Sequence, residues 1–514
     1  MRINAYSAVV LILLSFHFCA CSSNEVHRKL HKPEDYLRLD AGSEFLKIHY
    51  RNGNLSVFSN WQVFDSAKLI IGKGVLYNPN REIIKSGVDT ISYSAIALLE
   101  TNISVPGDNL VGMSLFTGST IALAVYCASN PKACFGSCPT FYAWDGKHKT
   151  LMAEGFSSSI LPSLEAEDID ALYGAVPRSQ DFQLEMTNEA LETHLIRHAD
   201  LLIAKRPPGG RMMQMTDNTF REGLALIPPS KCMAAEGSIL QKVESFDESE
   251  RSSYCDSNDL LSKETIEVQF DKNPGVEKGL VLGFRQSLLT TFLFYQGLAY
   301  LGDSAGAFFA HIENDPEFRK MTGDPFKGLL GGIEVDVQDQ NGKWRQAGEF
   351  YEAGPIAHNI QTLSLPDSLG DGSRIRLRMT KGMWRINYIA QTILGKRVEP
   401  ERLLPDSVTT DTGLCPQALT ALLSNTRHLV SMPGDKWVLH YTLPKDFWNY
   451  DLFLSARGYY LEWMRKEWLA ETNPSMAAMM FALPFYYLKQ EAPVFKKVEK
   501  EMENTFWNSR YVRH

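Results

Sequence analysis

Trp144-Asp145-Gly146-Lys147 lies between two apolar runs, and its reading decides the fold. An Asp-Gly pair in that setting marks a β-hairpin, because the tight turn needs residues that tolerate positive φ. Arg51-Asn52-Gly53-Asn54 upstream and Asp339-Gln340-Asn341-Gly342 downstream repeat the signal. Between the turns come short β-branched and aromatic runs, which predict strands at 46–50, 61–64, 68–76, 89–97 and 115–126. Residues 181–205 add two or three more strands before Pro207-Pro208-Gly209-Gly210 breaks the pattern.

A stretch rich in Ser, Asp and Glu at 238–264 reads as a linker. Beyond it, strands are expected at 265–270, 279–284, 289–301, 332–337, 360–365 and 374–379. After Pro405 the chain becomes mixed, with strands at 437–443 and 452–454 and helical spacing at 475–482 and 494–506. The expected fold is mainly β: two β-sandwich-like domains followed by a mixed α/β, helix-containing region. The predicted boundaries are an N-terminal β domain at 44–237, a linker at 238–264, a second β domain at 265–404 and the mixed region at 405–514. No fixed-period repeat suggests a solenoid or propeller.

The first residues carry an address. Met1-Arg2 leads into the apolar run Ala8-Val9-Val10-Leu11-Ile12-Leu13-Leu14, then Phe18-Cys19-Ala20-Cys21. Charge, short apolar core and small-residue site make 1–20 an export signal, too short to span a bilayer. Ala20 directly before Cys21 reads as a lipobox, in which Cys21 is acylated and becomes the new N-terminus. A plain secretory signal cut nearby is the alternative. Residues 21–43 then form a polar tether with a random-coil reach of roughly 25 Å. The expected location is the cell envelope, extracytoplasmic and lipid-anchored to a bacterial membrane, with the outer membrane favoured. The anchor is the expected membrane contact, since the most apolar later run, 281–300, is interrupted by Arg285, Gln286 and Gln296. A hydrophobic content of 44% supports large cores, and a net charge of −8 speaks against a nucleic-acid partner.

Six cysteines lie beyond the signal: Cys127, Cys134, Cys138, Cys232, Cys255 and Cys415. In an oxidising compartment an even count suggests disulfides, and six thiols allow fifteen connectivities. Cys134 and Cys138 flank Phe135-Gly136-Ser137, where glycine permits a tight turn, and form the favoured pair. Cys232 with Cys255 is the second. Zinc at Cys134 and Cys138 would need a second ligand cluster, which the sequence lacks.

The segment Ser137-Cys138-Pro139-Thr140-Phe141-Tyr142-Ala143-Trp144-Asp145-Gly146 resembles a "Cys-Pro … Tyr-x-Trp-Asp-Gly" segment of large exported bacterial proteins of unassigned role, which often carry FG-GAP-type or tetratricopeptide repeats in front of it. The resemblance continues at Met186-Thr187-Asn188-Glu189, 279–284, 298–304, 374–388, Met432-Pro433-Gly434-Asp435 and 452–457. It spans roughly 125–484, without the preceding repeats, and implies an exported β-rich protein. It transfers no residue role.

Gly302-Asp303-Ser304-Ala305-Gly306 matches the G-x-S-x-G pattern of a nucleophile elbow, after an apolar run read as a strand and before a helix expected at 307–312. A serine hydrolase built on Ser304 would draw its base from His358, His428 or His440, with Asp406, Asp411 or Asp435 as orienter. Against it stand the missing His-Gly-Gly oxyanion segment and the missing βα rhythm. His194 and His198, four apart, would share one face of a regular strand with Asp200, which suits either a metal or a wetted strand face. Asp145 reads as turn chemistry before calcium, since no dense Asp/Asn loop surrounds it. No phosphate-loop, dinucleotide, haem or metallopeptidase motif occurs, and no cofactor is expected. Aromatics crowd the C-terminal third: Trp437, Trp448, Tyr450, Tyr459, Tyr460, Trp463, Trp468, Phe485, Tyr486 and Tyr487. Part of that stretch is the expected contact surface for a protein or glycan ligand.

Overall fold

The computed structural model describes residues 25–508 apart from 32–35, 38, 40–41, 44, 51–53, 78–82, 106–137, 191, 248, 272–276, 320–328, 352–353, 366–372, 433 and 463–471. The signal with Cys21, the expected strand at 115–126, Cys127, Cys134, Trp463 and Trp468 lie outside the described residues. The chain forms two units, Met1–Phe116 and Thr117–His514.

Alternating apolar residues in the first unit build one antiparallel sheet from β1 (Glu25–His31), β2 (Phe45–Tyr50), β3 (Leu55–Phe64), β4 (Leu69–Tyr77), β5 (Ile83–Ser92) and β6 (Ile96–Val105), in the order β1-β6-β2-β3-β4-β5. Leu46, Ile48, Phe58, Ile70, Ile91, Ile96 and Leu99 are buried together on it. β1 corrects the expected tether at 21–43. Glu25 to His31 pair residue by residue with Val105 to Leu99. Without that pairing β6 would present an unpaired edge, which even a polar segment satisfies through its backbone. Only residues 22–24 separate Cys21 from the sheet, at most about 14 Å of extended chain.

The second unit holds four antiparallel sheets. Sheet two contains β7 (Thr140–Trp144), β8 (Lys149–Glu154), β10 (Asp181–Thr187), β24 (Ser407–Thr410), β25 (Gly413–Leu414) and β27 (Lys436–Thr442). Sheet three contains β9 (Ala166–Ala171), β11 (Glu192–Lys205), β23 (Glu401–Leu403), β26 (Leu429–Ser431) and β28 (Tyr450–Glu462). Sheet four contains β12 (Arg211–Gln214), β13 (Phe220–Ile227), β17 (Lys278–Gln286), β20 (Asn359–Leu365) and β22 (Trp384–Arg397). Sheet five contains β14 (Lys231–Ala234), β15 (Gly237–Ser238), β16 (Lys263–Gln269), β18 (Ile333–Gln338), β19 (Trp344–Phe350) and β21 (Arg374–Thr380).

Shared cores give the stacking order. Phe141, Leu184 and Leu439 of sheet two are buried with Ile196, Leu201 and Leu454 of sheet three. The other face of sheet three (Leu202, Phe453) is buried with Val281 and Ala390 of sheet four. Sheet four in turn offers Leu280, Leu282 and Ile386 to Ile266, Val335 and Leu377 of sheet five. Sheets three and four are therefore covered on both faces, which explains why β11 and β17 are buried almost throughout.

The mainly β fold with helices toward the C-terminus is as expected, but the predicted boundaries are not. The strands at 140–205 and 401–462 belong together as one sandwich, and 211–397 form a second sandwich inserted between them. The expected linker at 238–264 lies inside the second sandwich and buries Ile239, Val243, Arg251, Cys255 and Leu260. Arg251 within it is buried against two carboxylates. The Arg251 guanidinium donates to Glu236 at 2.9 Å and to Glu264 at 2.6 Å.

The expected strand at 289–301 is a helix, α1 (Leu289–Leu301). Thirteen residues exceed a buried strand's usual length, and an apolar run buried on several sides carries no period to mark the helix. It is followed by α2 (Ala305–Asn314), α3 (Pro416–Leu422), α4 (Pro474–Ala482) and α5 (Pro484–Asn508). α5 begins ten residues before the expected helix at 494–506, and its Tyr487, Leu488 and Phe495 join α1 in the second sandwich's core. Among the described residues no helix is long and apolar enough to cross a membrane.

Candidate functional site

The hairpin at Trp144 forms as expected: Gly146 has φ +103°, and Asp145 Oδ1 accepts the backbone N–H groups of Lys147 and His148 at 2.7 and 2.8 Å. At the other end of the same strands lies a dense polar cluster. There β7 starts, β10 ends, β11 and β27 start and β28 ends. Three of the segments that carry the family resemblance, at Cys138, Met186 and Met432, meet at this end.

Glu189, 3% exposed, collects three hydroxyls: Tyr142 and Thr140 of β7 and Thr187 of β10. The Asn188 side chain donates to the carbonyls of Glu192 and Ser431, both at 2.9 Å, and its backbone exchanges bonds with Gly434 and Asp435. Asp435 in turn accepts from the Met432 N–H at 2.7 Å. His194 Nε2 lies 2.6 Å from Glu192 Oε1, and neither side chain touches solvent. The His194 ring stands edge-on to Tyr460, whose hydroxyl donates to the Ser157 carbonyl. Three bonds reach the second sandwich. Tyr295 of α1 donates to Glu462, and Glu154 of β8 accepts from the Ile356 N–H at 2.8 Å and from the Ala357 N–H at 3.3 Å.

Burial, then the nearby Glu154 and Glu192, push the Cys138 thiol well above its usual range. It stays protonated and is no nucleophile. Burial also raises Asp435 and the Tyr460 hydroxyl. In this closed arrangement the cluster can share protons and hold its segments in register.

The candidates read from the sequence are scattered. Ser304 is exposed in the 3-10 turn Gly302–Ser304 between α1 and α2, so the strand-to-helix elbow expected there is a helix-to-helix turn. Gly302 ends α1 with φ +48°, and a Cβ there would stand 1.9 Å from Thr472 Oγ1. The glycine is a helix stop. His440 bonds to Asp181 and Thr409, His358 to Glu250, and His428 faces Glu165. Asp406 gives its backbone N–H to the His440 carbonyl, Asp411 is exposed, and Asp435 belongs to the polar cluster.

His194 and His198 are on opposite faces of β11. A bulge between Ile196 and His198 shifts the alternation, so that Ile196 and Ala199 enter the same core. His194 therefore faces sheet two, and His198 turns to Ser455 and Glu167 beside Asp200, whose carboxylate takes Arg402. Among the described residues no three His, Cys, Asp or Glu side chains are placed to hold a metal.

The expected Cys232–Cys255 link is absent: both thiols are free and buried, as is Cys138, and Cys415 is a free, half-buried thiol. Cys232 sits in β14, whereas Cys255 is held against Glu499 of α5 and Gly382, and apolar burial suffices for each. Of the C-terminal aromatics, Tyr459, Tyr460 and Tyr487 are buried, Trp437 and Tyr450 are half-buried, and Trp448, Phe485 and Tyr486 are exposed. The polar cluster itself went unread, although Thr187-Asn188-Glu189 directly after a strand was a visible break in apolar alternation.

No protein-family model matches the chain, and no curated protein matches it. The solved structure of the infectious bursal disease virus Gt strain is 9% identical, over 85% of this chain and 79% of its own, with a TM-score of 0.17. That of the Gx strain is 8% identical, over 85% and 80%, with a TM-score of 0.15. Scores of that size carry no argument about fold or function.

Proposed function

We propose that the protein is a lipid-anchored, extracytoplasmic protein of a bacterial cell envelope, on the outer membrane by preference, and that it works by binding or envelope assembly. One observation carries this reading: the charged start, the apolar run Ala8-Val9-Val10-Leu11-Ile12-Leu13-Leu14 and Ala20-Cys21 follow one another at signal and lipobox spacing. The inward turn of the chemically capable side chains supports the binding half. His194 and Glu192 are sealed in a core, and Ser304 lies in a turn remote in kind from a nucleophile elbow. For a protein or glycan ligand, the expected stretch from Trp437 to Tyr487 contributes Trp448, 63% exposed, as its exposed aromatic within the first sandwich.

Mass spectrometry of the membrane-extracted protein tests the anchor. The expected result is an N-terminal Cys21 carrying acyl chains. An unmodified N-terminus beyond Cys21 overturns it. Crosslinking in the native membrane tests the ligand, with Trp448→Ala expected to remove a crosslinked species that the unaltered chain gives.

A further inference from the structure

The corner between α4 and α5 exposes four large apolar side chains within six residues: Phe481 at 38%, Leu483 at 60%, Phe485 at 62% and Tyr486 at 52%. Single exposed apolar residues are ordinary, but a contiguous group at a helix corner marks a contact surface. The corner is continuous with a second feature. From Phe485 the outer face of α5 runs through Lys489, Lys496, Lys497 and Lys500, all exposed and one to seven residues apart along one side of the helix. The helix turns most of its acids away from that face. Glu491 and Glu499 are buried, and Glu503 is spent on Arg385, which leaves Glu501 as the exposed carboxylate of its described residues. Lys489 lies 3.7 Å from Asp259, and Lys496 is held by Glu499 at 3.0 Å, the Cys255 carbonyl at 2.9 Å and the Tyr254 ring, while Lys497 and Lys500 make no ion pair among the described residues. The whole chain carries −8, so this stripe is a local concentration of positive charge.

We propose that the α4–α5 corner and the lysine face of α5 form a peripheral membrane-contact site for an anionic lipid surface. Aromatic and leucine side chains at a helix end suit the headgroup level, where an apolar body can enter and a polar tip stay wet. Lysines along the following turns meet anionic headgroups and keep their stems on the apolar boundary. A protein partner fits less well, because lysine is depleted from the buried centres of protein interfaces. From Phe485 to Lys500 the contact line is roughly 22 Å long. The site does not depend on acylation of Cys21.

The test uses the chain from Ser22 onward, which holds every described element and lacks the acylated cysteine. It is sedimented with vesicles of phosphatidylethanolamine and phosphatidylglycerol, and separately with pure phosphatidylcholine vesicles. Binding to the anionic vesicles that weakens with added salt is expected, with little to phosphatidylcholine. Lys497→Glu with Lys500→Glu is expected to weaken it by roughly tenfold or more, as is Leu483→Ser with Phe485→Ser and Tyr486→Ser. All five side chains are exposed, so matched thermal melts separate lost binding from lost folding. Equal binding by the variants, or no binding to anionic vesicles, overturns the site and leaves the Cys21 anchor standing. A single crosslinked protein lost in the variants, without vesicle binding, makes the corner a protein-docking surface and also overturns it.

Discussion

A single carboxyl group between α1 and α5 couples this fold to pH. Glu491 is fully buried, accepts the Tyr300 hydroxyl at 2.6 Å and interacts electrostatically with the Tyr487 hydroxyl. Its other oxygen has no hydrogen-bond partner among the described residues. Burial, opposed by the Tyr300 bond, raises it from an ordinary 4.5 to about 7. Between those values the unfolded chain has released the proton that the folded chain still holds, so stability falls as pH rises through that window. The loss amounts to roughly 3 kcal/mol once the folded value is passed. Glu491→Gln keeps the shape and removes the titration. Urea midpoints followed from pH 5 to pH 8 are expected to fall for the unaltered chain and to run flatter for the variant; parallel curves refute the assignment. Residues of this kind are hard to read in a sequence. Asp145 was legible because its chemistry is local, bonding to neighbours two and three residues on. Glu491 takes its meaning from Tyr300, 191 residues away. His194 and His198 misled for the same reason. Their spacing implied one face, but the bulge that separates them is set opposite Gly458, where a Cβ would stand 2.4 Å from the Leu195 carbonyl oxygen.

Among the elements, hairpins were legible and buried helices were not. Asp339 to Gly342 turns between β18 and β19 as its residues dictate, with Gly342 at φ +78° and the Asp339 N–H bonded to the Lys343 carbonyl. α1 gave no such sign, since Leu289, Phe292, Leu293, Tyr295, Gln296 and Leu298 are all buried. With no polar stripe there is no period of 3.6 to detect, and length is the sole clue. Reading α1 as a helix changes what the Gly302-Asp303-Ser304-Ala305-Gly306 segment means, and the two readings part at Gly302 and Ser304. As a helix stop, Gly302 is irreplaceable, because alanine adds strain at positive φ and a clash with Thr472. Gly302→Ala is expected to cost about 2 kcal/mol or more in urea unfolding, and Ser304→Ala, at an exposed turn, less than about 0.5 kcal/mol. A fluorophosphonate probe is expected to leave Ser304 unlabelled; labelling lost in Ser304→Ala would restore the hydrolase.

At the scale of the molecule, composition located a boundary where none exists and missed one in plain view. The polar stretch 238–264 looked like a linker, whereas it packs on the second sandwich with Arg251 buried between Glu236 and Glu264. The true crossing follows Lys205, at the Pro207-Pro208-Gly209-Gly210 break, and the chain returns to the first sandwich near β23. Local composition cannot reveal this, because the pairings that close the first sandwich are distant in sequence. β27 pairs with β10, β28 lies against β11 for most of its length, and the Tyr441 hydroxyl bonds the Ala199 carbonyl 242 residues back. The C-terminal third is consequently not a detachable binding module. A chain ending at Leu404 loses β24, β25 and β27 from sheet two, leaving β10 as an unpaired edge, and β26 and β28 from sheet three, exposing β11 and β9 on either side of the gap. It also strips the second sandwich of Tyr487, Leu488, Phe495 and Val498 of α5, and removes Glu499, which holds the Cys255 backbone. Both sandwiches therefore fail together in that truncation. The unit Met1–Phe116 keeps all six of its strands. Limited proteolysis of the truncated chain is expected to leave a protected fragment covering 25–105 and to digest the remainder. A second protected fragment spanning 211–397 would show that the inserted sandwich stands without the strands and helices that close it.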